Sequence, residues 1–180
     1  MAHFDPGNSR LRVYIARAGL LSAVGHDLEI AVDDYGIDVD ESALAVHARV
    51  ASQSLQVVDA VQRRELRPGT LSAKDKEQIK HNMTRDVLET DKYPSIEFRS
   101  SRVQRERDGY RVRGELTLHG ARRELEFFAQ RRGSMVQGEI EIHQPDFGIA
   151  PYRALGGALR VRPEVSVTFE LPDLLPQDST

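Results

Sequence analysis

At 180 residues the chain falls within the usual size of one domain and is long enough to bury a core. Hydrophobic residues make up 39% and charged residues 29%, a balance that excludes both a disordered and a membrane-embedded polypeptide. The formal net charge of −3 gives no general pull toward nucleic acid, and the absence of cysteine excludes disulfides, thiolate nucleophiles and cysteine-held metals.

The first ten residues carry no apolar leader-like run, and nothing later approaches ~18 consecutive apolar residues. The sequence as written therefore reads as a cytoplasmic protein with no integral membrane segment. Residues 1–9 and 173–180 read as tails around a single ordered unit spanning 10–172. Arg63-Arg64, Arg122-Arg123 and Arg131-Arg132 each lie near Glu or Gln, which suits solvated hairpin edges better than a phosphate-binding surface.

Strands come first. Leu11, Val13 and Ile15 alternate with polar residues, as do Leu28, Ile30 and Val32, and then Leu44, Val46, Ala48 and Val50. A short strand around 54–60 follows. The spacing then predicts a helix over about Ser72–Glu89, with Ser72 as cap and Asp75 in the capping-box position. Ile79, Met83, Val87 and Leu88 form its apolar stripe, and Tyr93-Pro94 ends the segment.

The second half alternates more strictly. After a strand at Ser95–Val103, Tyr110, Val112, Gly114, Leu116 and Leu118 share one face. Leu125, Phe127 and Ala129 follow, then Val136, Gly138, Ile140 and Ile142, and finally Leu159, Val161, Val165, Val167, Phe169 and Leu171. Asp108-Gly109, His119-Gly120 and Gly133-Ser134 supply turn chemistry at the joints, giving a meander of antiparallel strands. Strands of this length span about 26–44 Å, which suits a sheet coiled into a barrel. About eight strands enclose an interior wide enough for one small ligand.

Strand phase sorts the candidate chemistry. His47 and His143 fall on outward faces, His119 in a turn, His81 on the helix and His3 in the tail, with no metal-ligand spacing among them. His26 is the exception. It extends the inward face of Leu28, and Arg17 extends that of Ile15, so a hairpin would set both on one rim, where they could bind a polar head group. The plainer reading, a turn residue beside Gly25 with no ligand contact, stays open. Asp27 points to the opposite face from His26, and Ser22 lacks a nucleophile-elbow sequence, so no catalytic set emerges. No cofactor and no metal are expected.

Asp91-Lys92-Tyr93-Pro94-Ser95-Ile96-Glu97-Phe98-Arg99-Ser100, then Gly114-Glu115-Leu116-Thr117-Leu118-His119-Gly120, and later Asp146-Phe147-Gly148-Ile149, resemble in order the signature segments of the YceI-like family. The resemblance implies an all-β, eight-stranded antiparallel lipocalin-like barrel with one short helical excursion. It also implies a tunnel for a polyisoprenoid, an isoprenoid quinone or a similar long-chain lipid. Many members of the family are exported to the periplasm. Ala18–Leu28 and Tyr152–Leu159 depart from the commoner family pattern, which leaves the ligand of this subgroup open.

On this reading Phe98, Leu116, Phe127, Ile140, Val165, Val167 and Phe169 would line the tunnel, with Arg17, His26, Tyr152 and Arg153 near its mouth. The chain would be a carrier or sequestering protein and not an enzyme. Two other readings remain: an enzyme using His26 as general base, and a filled barrel presenting the loop Asp146–Gly157 to a partner. Outward Phe128 and Met135 offer a small apolar surface for a homodimer.

Overall fold

The computed structural model describes residues 1–18 and 26–174, the side chain of Leu155 excepted. In chain order it has β1 (Ala2–Phe4), β2 (Arg10–Ala18), β3 (Asp27–Val32), β4 (Tyr35–Asp40), β5 (Ala45–Ala51), β6 (Leu55–Gln62) and β7 (Glu65–Arg67). Helix α1 (Ala73–His81) follows. Then come β8 (Ser95–Glu106), β9 (Gly109–Leu118), β10 (Ala121–Arg132), β11 (Met135–His143), β12 (Arg153–Ala154) and β13 (Leu159–Pro172). The expected all-β architecture with one helical excursion is what forms: a strongly curled antiparallel sheet in the order β1-β4-β5-β8-β9-β10-β11-β13-β2-β3-β6-β7.

β8 to β11 pair consecutively, and β11 pairs with β13. The inward phase read from the sequence is the buried one: Val112, Leu116, Leu118, Ala129 and Val136 are each less than a tenth exposed. His119 (φ 51°) and Gly120 (φ 75°) take up the left-handed backbone that a two-residue reversal between strands needs. The first hairpin differs from expectation by one residue. Its turn is Arg107-Asp108, and Gly109 is already in the strand. A Cβ on Gly109 would lie 2.1 Å from the Ala129 carbonyl oxygen, so close backbone approach requires the glycine there.

The first half of the chain holds what alternation did not reveal. β3 and β4 are one ribbon strand bent at 33–34, and β5 and β6 are its partner, bent at 52–54. One half of the ribbon extends the sheet beyond β2 and the other half extends it beyond β8, so the corner links the two flanks. Ser52, 1% exposed, pins the bend by donating its hydroxyl to the Tyr93 carbonyl oxygen at 2.7 Å. The strand count differs from the eight expected: thirteen strands form among the described residues. Of these, β2, β3–β4, β5–β6, β8, β9, β10, β11 and β13 make eight long ones when each bent strand is counted whole, and β1, β7 and β12 are short additions.

Two segments read as tails belong to the fold. Ala2–Phe4 pairs with β4, and Phe4 is buried against Ile30, Val32, Tyr35, Ile37 and Leu55. Asp173 and Leu174 continue past β13 into the wall of the interior. A three-residue strand is too short to show a period, which is why the amino-terminal pairing was missed.

Helix α1 begins where predicted, with Ser72 and Asp75 exchanging the reciprocal bonds of a capping box. It passes into a wider π-helical turn at Asn82–Val87. Asp59 of β6 fastens the segment that leads into it. This buried carboxylate accepts from the amides of Ala60, Gly69 and Leu71 at 2.8, 2.9 and 3.0 Å and pairs with Lys76 Nζ at 3.0 Å. Burial pushes its pKa up, but the Ala60 amide, Lys76 and the other two amides outweigh that and hold it well below the usual carboxylate range. No helix among the described residues is long and apolar enough to cross a membrane.

Candidate ligand cavity

The curled sheet encloses a cavity of about 330 Å³. All eight long strands contribute to its wall, and Met83, Val87 and Leu88 close over it from the helical excursion. The wall is aliphatic and aromatic apart from Tyr110 and four polar residues: Asp40, Glu41, Gln144 and Asp173.

Three aromatic rings form a row along this wall. Phe98 and Phe127 have centroids 5.6 Å apart, and Phe127 and Phe169 5.7 Å apart in an edge-on arrangement. Glycines let the outer two lie back. A Cβ on Gly138 would come within 2.3 Å of the Phe169 ring, and one on Gly114 within 2.6 Å of the Phe98 ring. These two rings lie directly over glycine backbone.

The two ends of the cavity differ. At one end Gln144, Leu118, Phe147 and Ile149 are buried. His119, only 11% exposed at its side chain, sits there between Glu89 Oε2 at 2.9 Å and the Phe147 carbonyl oxygen at 3.3 Å, with its ring 4.3 Å from that of Tyr93. Tyr93 in turn covers Gly120, where a Cβ would be 2.7 Å from the ring. The three family-like segments therefore meet in one lock. His119 is a packed, hydrogen-bonded residue and not the free surface histidine expected of a turn.

At the other end the β4–β5 turn, 41–44, faces the chain beyond β13. Glu41 is the one wall residue among those described that is exposed. The Asp40 carboxylate accepts from the Ser42 and Ala43 amides, both at 2.9 Å, and from the Ser42 hydroxyl at 2.7 Å. The Ala43 amide first, and the Ser42 hydroxyl after it, lower its pKa. Across the rim, Arg131 Nε lies 2.5 Å from Asp173 Oδ2 and its Nη2 donates to the Tyr110 hydroxyl at 2.7 Å, which donates to Asp173 Oδ1 at 3.1 Å. Burial raises the Tyr110 pKa, against the opposing pull of Arg131.

The curled antiparallel fold is shared with known proteins. The family model of the YceI-like domain matches residues 3–172. The chain belongs to the YceI-like family. Its fold is similar to that of Burkholderia cenocepacia BcnA, with a TM-score of 0.65 at 15% identity over 92% of this chain and 96% of that one. It is also similar to a Campylobacter jejuni YceI protein (TM-score 0.55, 15% identity, 82% and 85% covered). A third likeness is to a polyisoprenoid binding domain from Saccharophagus degradans implicated in plant cell wall breakdown (TM-score 0.52, 14% identity, 91% of each chain covered). In sequence, 64 residues are 34% identical to the UPF0312 protein plu2095 of Photorhabdus laumondii. That match takes in 36% of this chain and 33% of the relative, so the YceI-like chain spans about a third of the relative it matches.

Within this YceI-like fold, Phe98, Leu116, Phe127, Ile140, Val165, Val167 and Phe169 all stand in the cavity wall. Arg17, His26, Tyr152 and Arg153 do not. Arg17 donates its amide to Asp27 Oδ1 at 2.9 Å and holds its guanidinium 3.9 Å from the same oxygen. His26 is exposed just before β3, and Arg153 is exposed opposite Arg160. The Tyr152 hydroxyl accepts from Asn82 Nδ2 at 3.0 Å. The phase argument that turned Arg17 and His26 inward fails for local reasons: the pairing of β2 with β13 slips register between Ile15 and Arg17, and His26 precedes the first paired residue of β3. Ser22 and Gly25 lie outside the described residues.

The polar rim, Asp40, Glu41, Tyr110 and Asp173, was absent from the sequence reading. Asp40 and Glu41 have the chemistry of any turn, and only the sheet's curl places that turn over the bore. Phe128 lies outward as expected, half-buried, with the Arg111 guanidinium 5.9 Å from its ring centroid.

Proposed function

We propose that this YceI-like protein binds an elongated apolar or amphiphilic lipid of the polyisoprenoid or isoprenoid-quinone class inside the barrel. It would serve as a carrier or sequestering protein and not as an enzyme. The observation that carries the reading is the cavity itself, about 330 Å³ with an almost wholly apolar wall. Ligand pockets start at about this size. The similarity of fold to a polyisoprenoid binding domain supports the ligand class.

Energetics are compatible with binding. A chain of about a dozen buried carbons gains roughly 10 kcal/mol at about 0.8 kcal/mol per methylene. Lost ligand freedom costs about 4–15 kcal/mol. Tight binding therefore needs the whole bore filled. The polar groups along the described wall are carboxylates, one amide and one phenol, a set suited to orienting a head group.

Native mass spectrometry of the purified protein, followed by organic extraction and lipid identification, tests the proposal. A stoichiometric prenyl species is the expected result. A bare protein that also takes up no prenyl lipid when offered one would overturn it and favour a filled barrel that works through its loops.

A further inference from the structure

The size of the bore and the charge at its rim narrow the ligand beyond the lipid-binding reading, on which this step rests. We infer that the cavity selects short amphiphiles, with about 10–15 buried carbons and an uncharged or cationic head, and rejects anionic heads.

Volume sets the length. An apolar cavity of about 150 Å³ accommodates benzene. On that scale the 330 Å³ here holds roughly a dozen carbons, two to three isoprene units. A much longer chain would have to leave most of its length outside, since the far end is stopped by Met83, Val87, Leu88 and the buried Ile149.

Polarity sets the direction. The polar wall residue at the stopped end, Gln144, is 7% exposed and spends its amide on the Arg162 carbonyl oxygen at 3.0 Å. It is poorly placed to receive a head group. The rim around the exposed Glu41 is where a head would rest, and its carboxylates are Glu41, half-buried Asp40 and Asp173, whose side chain is buried. Asp173 is balanced by Arg131. Among the described residues no Lys, Arg or His side chain lies within ion-pair distance of Asp40 or Glu41. The bonds that Asp40 accepts from Ser42 and Ala43 favour its ionised form. The amino-terminal ammonium offsets part of the Asp40 charge, so Glu41 carries the unbalanced charge of the rim, which repels a phosphate or carboxylate head and accepts a hydroxyl or ammonium donor.

The test is displacement of the neutral fluorophore N-phenyl-1-naphthylamine from the full chain by farnesol, farnesylamine, farnesyl diphosphate and the far longer solanesol, each delivered from cyclodextrin. Farnesol and farnesylamine are expected to compete, with farnesyl diphosphate and solanesol each weaker by about tenfold or more. Glu41→Lys should narrow the gap between farnesol and its diphosphate about threefold or more. Equal or tighter binding of the diphosphate overturns the charge selection, and equal binding of solanesol overturns the length limit. If neither the fluorophore nor any prenyl compound binds, the lipid-binding reading itself falls, a result distinct from either of those.

Discussion

The two ends of the barrel are built on different principles. At the sealed end, His119, Tyr93, Glu89 and the Phe147 carbonyl join side chains from three separate segments. At the open end, a turn of exposed residues satisfies itself locally through Asp40. The segments that make the chain recognisable as YceI-like lie at the sealed end. What makes this fold identifiable is its closure, and the surface that would meet a ligand's head group is written in ordinary turn residues.

That contrast can be broken by mutation. The largest effect is expected where the helical excursion is tied down. Asp59→Ala strands Lys76 and three amides and should cost about 3 kcal/mol in urea denaturation at neutral pH. Asp59 is held below the usual carboxylate pKa, so its contribution is full above the unfolded value of about 4 and is lost as pH falls beneath it. Asp59→Asn should accordingly flatten the stability curve between about pH 4 and about pH 2. An unchanged acid limb would show that the carboxylate is not what anchors the helix.

Next comes the lock itself. His119→Ala removes two hydrogen bonds and a ring contact, an expected loss of about 2 kcal/mol by thermal unfolding. Gly138→Ala follows, at about 1–2 kcal/mol, because the new Cβ forces the Phe169 ring toward the bore. The same variant should weaken uptake of any apolar probe, and unaltered uptake would mean the ring has another place to go. At the open end Glu41→Ala should change stability by no more than about 0.5 kcal/mol, since its side chain is exposed in a turn. A larger loss there would erase the distinction between the ends.

Legibility followed the same division. Strict alternation from Tyr110 to Leu171 fixed faces and tunnel-wall residues, because a strand with one buried face has a period of two. The capping box at Ser72 was equally plain. Tyr35, Ile37 and Val39 alternate as well, but the preceding Asp33-Asp34 and the glycine at position 36 masked a strand that continues around a corner. A bend of that kind depends on what lies across it, here Ser52 against the Tyr93 carbonyl, forty-one residues away in sequence. The mouth was misplaced for a related reason: phase predicts a side chain's face only while the register is unbroken, and it shifts between Ile15 and Arg17, while His26 lies before β3.

One feature of the wall bears on how the molecule is made. β2, near the start of the chain, pairs along its length with β13, near the end, Val13 opposite Val167 and Leu11 opposite Phe169. This seam joins the first long strand to the last, so it has the greatest loop-closure cost of any pairing in the sheet. On a ribosome it cannot form until the carboxy-terminal strand has emerged, well after the local β8–β11 hairpins can fold. Until then the apolar face of β2 has no partner strand on that side, and a nascent chain caught at that stage offers a bare edge to chaperones or to aggregation.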